Sequence, residues 1–246
     1  MKKLITLLLQ MIVSSSVMAD GKTVSYEING EAYEGYYTSP ATNVPLVLLV
    51  HDWDGLTDYE VKRAEMLSDQ GYAVFAVDLF GAGVRPTEVA DKKQLTGALY
   101  KDREKMRALL FGALKAAQSQ GANIDNAIAI GYCFGGAAVL ELARAGADLK
   151  GFVTFHGGLS TPAGEDYSKT KGRVLIFHGS ADQSVTMDDF AELGRELEKA
   201  GVPHEMISYG GAPHAFTVFG SDRYREDADK KSWQRFIQFL DETLKR

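Results

Sequence analysis

The sequence predicts an α/β fold: a mostly parallel central sheet with helices on both faces and an N-terminal antiparallel hairpin at its edge. Short continuous apolar runs such as Leu46-Val47-Leu48-Leu49-Val50 carry the first part of that reading, because strands of a parallel sheet are buried on both faces. Between them lie longer stretches with apolar residues three and four apart, the spacing of helices that bury one face. Asn29-Gly30 joins the stretches 23–28 and Glu31–Thr38 and supplies the positive φ angles of a two-residue hairpin turn.

Taken in order, residues 46–50 form the first parallel strand, and a helix over about 58–70 follows, with Val61, Ala64 and Leu67 inward and Gly71 as its stop. Strand 72–77 leads to one long helix over about 93–118, which turns Leu95, Leu99, Met106, Leu109, Ala113 and Leu114 toward the core. Strand 127–130 runs into a sharp bend and a helix over 137–143. Strands 152–155 and 174–177 are separated by a loop rich in Gly, Ser, Thr and Pro. Thr186 with Asp189 reads as a capping box for a helix over Met187–Ala200, which stops at Gly201 with Pro203 beyond. After the strand His204–Tyr209, the last helix carries Trp233, Phe236, Ile237, Leu240 and Leu244 at helical spacing, a core stripe. No repeat or linker divides residues 20–246, so they form one domain.

Residues 1–19 read differently. Lys2 and Lys3 precede an apolar stretch from Leu4 to Val13, then Ser14 to Ser16 and Val17-Met18-Ala19, which is the pattern of a secretory signal peptide cleaved after Ala19. The expected location is the periplasm or the exterior. No cysteine follows the apolar stretch to take a lipid, so no stable membrane anchor is expected. Without Lys2 and Lys3 the formal charge of −6 becomes −8. An acidic chain with no Lys/Arg cluster is a poor partner for nucleic acid or an anionic membrane. Its single cysteine rules out an internal disulfide, and an unpaired thiol in an oxidising compartment needs a reason.

That reason lies at Gly131-Tyr132-Cys133-Phe134-Gly135-Gly136, where a strand must turn into a helix within a few residues. A small buried core residue is the ordinary role of a free cysteine, but such a residue has no use for glycine at these offsets. The arrangement is a nucleophile elbow with cysteine in place of serine. In a parallel sheet, functional groups gather past the carboxyl ends of the strands. Asp182 lies there after strand 174–177, and His214 after His204–Tyr209, preceded by Gly210-Gly211. His51, His156 and His178 compete as bases, but only His214 follows the acid by one strand. The order nucleophile, acid, histidine is that of the α/β-hydrolase fold. Cys133 would then attack a carbonyl carbon, His214 would move the proton, and Asp182 would fix the tautomer. The expected oxyanion donors are the N–H groups of Phe134 and Trp53. The helix N-terminus and a nearby imidazolium are expected to lower the thiol pKa.

The cysteine elbow, with Asp182 and His214 downstream and His51-Asp52-Trp53-Asp54-Gly55-Leu56 upstream, resembles the dienelactone hydrolase family over nearly all of residues 20–246. The resemblance implies the α/β-hydrolase fold and hydrolysis of a small-molecule ester or lactone. It also implies that an acidic residue in the early loop, Asp52 here, controls ionisation of the resting thiol. Relatives acting on dienelactone hold the substrate carboxylate with arginines, one of them four residues after the histidine, where this chain has Val218. Arg85 and Arg103 are the candidates to replace it, each readable also as a solvated surface residue. A catalytically silent scaffold that binds a small molecule is the alternative, and peptidase action is a third reading. No spacing of His, Cys, Asp or Glu suits a metal, and Gly81-Ala82-Gly83 is no dinucleotide fingerprint, so neither metal nor cofactor is called for. The sequence sets no oligomeric state.

Overall fold

Among the described residues eight strands make one sheet in the order β1-β2-β4-β3-β5-β6-β7-β8. They are β1 (Lys22–Ile28), β2 (Glu31–Thr38), β3 (Pro45–Val50), β4 (Ala73–Val77), β5 (Asn123–Tyr132), β6 (Gly151–Phe155), β7 (Arg173–Gly179) and β8 (His204–Tyr209). The computed structural model describes residues 21–244, and the expected leader 1–19 lies outside them. β1 pairs antiparallel with β2, and β2 with β4; from β4 to β8 every pairing is parallel. At the hairpin, Asn29 and Gly30 have φ of 53° and 82°, as the turn requires.

Among the described residues six helices cover the sheet: α1 (Asp58–Ser68), α2 (Val89–Lys101), α3 (Arg103–Ser119), α4 (Phe134–Arg144), α5 (Met187–Ala200) and α6 (Glu226–Thr243). The alternation of side chains along β3 sorts them into two layers. Leu46, Leu48 and Val50 share a core with Leu109 of α3, Leu142 of α4 and Leu193 of α5. Val47 and Leu49 point the other way, toward Leu67 of α1 and Phe236 and Leu240 of α6. Among the described residues no helix is long and apolar enough to cross a membrane.

The expected capping box at Thr186 and Asp189 is present, and Thr57 with Glu60 makes a second one at the start of α1. Two boundaries differ from the sequence reading. The single helix expected over 93–118 is two helices, because Asp102 leaves helical geometry (φ −114°, ψ 79°) and its carboxylate accepts the N–H of Lys105 at 2.9 Å. Aspartate competes with the helix for its own backbone donors, so it caps more readily than it continues. The helix expected at 137 begins at Phe134, which confines the whole bend after β5 to Cys133.

Candidate active site

Cys133 takes φ 51° and ψ −112°, a strained conformation for a residue with a side chain. Backbone contacts hold it: its N–H donates to the Phe155 carbonyl at 3.1 Å, and its carbonyl accepts from Gly136 at 3.1 Å and Gly158 at 3.2 Å. The glycines are a steric requirement of this crowding. A Cβ on Gly131 would collide with the Gly135 carbonyl, and one on Gly135 with the Val50 carbonyl. With α4 packed that close to β3 and β5, the thiol is left on the crest of the turn.

The three strand-end loops converge. His214 Nε2 lies 3.1 Å from Cys133 Sγ, and its Nδ1 lies 2.7 Å from Asp182 Oδ2. The other oxygen of Asp182 accepts the N–H groups of Ser184 at 2.8 Å and Val185 at 2.9 Å. Burial alone would raise the Asp182 pKa; the hydrogen bond with His214 and these backbone donors outweigh it, so the carboxyl lies below its ordinary range and stays ionised. His51 is buried and bonded to backbone, its Nε2 accepting the N–H of Leu79 at 3.1 Å. His178 is also buried and stacks on Phe190. Neither is paired with the thiol.

The thiol itself departs from expectation. Burial pushes Cys133 up to about 12 and the charge of Asp52 adds to that, while the Phe134 N–H pulls the other way and is outweighed. Cys133 therefore holds its proton at neutral pH rather than resting as a thiolate. Asp52, only 8% exposed, accepts the N–H of Asp54 at 3.1 Å. Its own pKa is pushed up to about 9, first by burial and then by the Asp54 carboxyl and the Glu60 charge. Two acids that share a dry site each make ionisation of the other harder.

A pocket of about 440 Å³ opens over the sulfur, with Asp52, Trp53, Phe134 and His214 among its walls, a volume suited to a small organic ligand. The two arginines expected to serve a substrate lie elsewhere. Arg85 donates to the carbonyls of Leu56, Val84 and Glu34 and sits 3.6 Å from the Asp78 carboxylate, so it ties loops together. Arg103 is bound to buried Glu141 at 2.7 Å, in a cluster with Arg107, Arg144 and Glu165. The cations that do line the pocket are Lys93, from α2, and Arg223, from the loop before α6. Sequence reasoning missed both, and the α2 residues Thr96 and Tyr100 beside them, because only the break at Asp102 and the path of the loop bring these segments over the thiol. Among the described residues no group of His, Cys, Asp or Glu is placed to hold a metal.

A sequence model described as the Dienelactone hydrolase family matches residues 33–244. The chain belongs to the dienelactone hydrolase family. Similar solved structures agree with this hydrolase assignment. A dienelactone hydrolase-like promiscuous phosphotriesterase from metagenomic libraries is 29% identical, with TM-score 0.86 over 93% of this chain and all 100% of its own. The structure designated m3DLH is 30% identical, with TM-score 0.87 over the same shares, 93% and 100%. A Salmonella typhimurium protein provisionally named carboxymethylenebutenolidase is 23% identical over 86% of this chain and 83% of its own. As a dienelactone hydrolase family member, the chain has the α/β-hydrolase fold that the order of its elbow, acid and histidine predicts.

Proposed function

We propose that this protein hydrolyses carboxylic esters or lactones through a thioester on Cys133. The observation that carries the reading is the unbroken line from Cys133 Sγ through His214, 3.1 Å away, to Asp182, 2.7 Å beyond, beneath a ligand-sized pocket. As sulfur attacks the carbonyl carbon, His214 Nε2 takes the thiol proton, and Asp182 balances the imidazolium that results. Backbone N–H groups of Phe134 and Trp53 receive the oxyanion. When the carbon–oxygen bond breaks, His214 returns the proton to the leaving group, then draws one from the water that cleaves the thioester. Mixing the protein with an activated aryl ester should place one acyl group on the peptide bearing Cys133, seen by intact-mass and peptide mapping, and lose it on standing. Intact ester and an unmodified Cys133 would instead favour a silent binding scaffold.

Asp52 enters this proposal through its charge over the range in which the thiol titrates: with its own pKa pushed up to about 9 it ionises before Cys133, whose pKa is pushed up to about 12. The sign follows from the charges. A carboxylate near a thiol disfavours the thiolate, so removing that charge lowers the thiol pKa. In Asp52→Asn, alkylation by iodoacetamide should therefore rise at lower pH than in the wild type, by on the order of half to one pH unit. A profile superimposable on the wild type would take Asp52 out of the mechanism.

A further inference from the structure

We propose that Thr217 is a positioning residue for His214. This rests on the reading of His214 as the base. The loop that carries His214 reverses immediately after it, with Ala215 at φ 61° and a turn closed by the Val218 N–H on the Ala215 carbonyl. Surface loops are ordinarily mobile, yet Phe216 and Thr217 are fully buried beneath this one. Thr217 is where the rest of the fold grips the loop. Its hydroxyl lies 2.7 Å from the Tyr59 hydroxyl on α1 and 2.8 Å from His156 Nε2, just past β6. Its carbonyl accepts from Arg63 at 2.9 Å.

Arg63 makes that grip rigid. It is 1% exposed, pairs with Asp229 of α6, donates to the Tyr59 hydroxyl at 3.3 Å and lies 4.2 Å from the centre of the Phe219 ring on the same loop. The planar guanidinium thus fixes Tyr59 and the Thr217 backbone together.

From Thr217 the constraint reaches the reacting groups through His156. The His156 ring stands edge-to-face against His214, centroids 5.4 Å apart at 64°, and does the same against Phe216. His156 is fully buried, at a strained φ of 41°, and among the described residues its Nδ1 has no hydrogen-bond partner. Among the described residues the Thr217 hydroxyl is therefore the one polar anchor of that ring. Without it, His156 can turn, and the imidazole of His214 loses the wall that keeps it between Cys133 and Asp182.

Two substitutions separate this role from simple packing. Thr217→Val keeps the shape and removes the hydroxyl; Thr217→Ser keeps the hydroxyl and removes a methyl group. With an aryl ester, Thr217→Val should lose about 10- to 100-fold in kcat with KM little changed, the scale of a small misplacement of a reacting group, and Thr217→Ser should recover most of it. The low-field NMR signal of the His214 Nδ1 proton on Asp182, assigned by its loss in His214→Ala, should persist in the serine variant and weaken or move in the valine variant. Thermal unfolding shows whether each variant is folded. Wild-type kcat and an unchanged proton signal in Thr217→Val would overturn the proposal, as would a serine variant impaired like the valine one. If the wild type hydrolyses no ester, the proton signal alone still decides whether Thr217 positions His214, so failure of the catalytic reading is told apart from failure of this one.

Discussion

Cys133→Ala should lower kcat on aryl esters by about four to six orders of magnitude, the scale seen when one member of a nucleophile triad is removed. The change deletes only Sγ, and the backbone bonds that hold the elbow from Phe155, Gly136 and Gly158 remain, so the melting temperature should move little. His214→Ala and Asp182→Asn should each lose most activity, and adding either to Cys133→Ala should cost nothing further, because in the proposed mechanism the three act as a unit. Steady-state rates with burst titration of active sites check this. Activity retained in the alanine variant would move the nucleophile to another pocket hydroxyl, of which Ser184 is one.

The elbow was legible in the sequence because its constraint is steric and local. Gly131 and Gly135 let β5, α4 and the end of β3 approach within contact of one another, and Gly136 lets α4 approach Thr154 and Gly157 at the end of β6. Asp182 and His214 were legible for a related reason: the ends of apolar strands can be found in a sequence, and parallel sheets put those ends on one side. That helices cover both faces of the sheet was legible in the continuous apolar run of β3, but which of its residues meet α1 and α6 and which meet α3, α4 and α5 shows only in the fold.

What the sequence concealed depends on segments far apart in the chain. Arg85 was a candidate for substrate because it follows β4, but its guanidinium reaches Leu56, Val84, Glu34 and Asp78 only once four segments have come together. Thr217 drew no reading from the sequence and His156 stood only as a competing base, because their bond joins positions 61 residues apart. The ionisation of Cys133 was misread for a different reason. A helix N-terminus and an imidazole are visible as motifs, whereas the desolvation and the acidic neighbour that outweigh them are properties of the folded pocket.

Under the proposed thioester mechanism, sulfur as the nucleophile sets the expectation for leaving groups. Once sulfur has added to the carbonyl, the tetrahedral intermediate expels either the thiolate or the substrate's own oxygen, and a thiolate leaves far more readily than an alkoxide. Alkyl esters should therefore return to reactants more often than they go forward. Enolates and phenolates leave more readily, so enol lactones and aryl esters should be the productive substrates. Amides need a proton delivered to nitrogen before it can leave, and a compact pocket of about 440 Å³ suits a small organic molecule better than an extended peptide. Across esters that share one acyl group, kcat/KM should rise steeply as the leaving-group pKa falls. Cys133→Ser should narrow that range, since a serine alkoxide no longer departs in preference to the substrate's oxygen. Each ~1.4 kcal/mol of barrier is tenfold in rate, so a difference of a few kcal/mol between phenyl and alkyl esters would spread the series over several decades. A flat series with acylation shown to be rate-limiting, or peptides cleaved faster than aryl esters, would remove this explanation of why sulfur stands at the elbow.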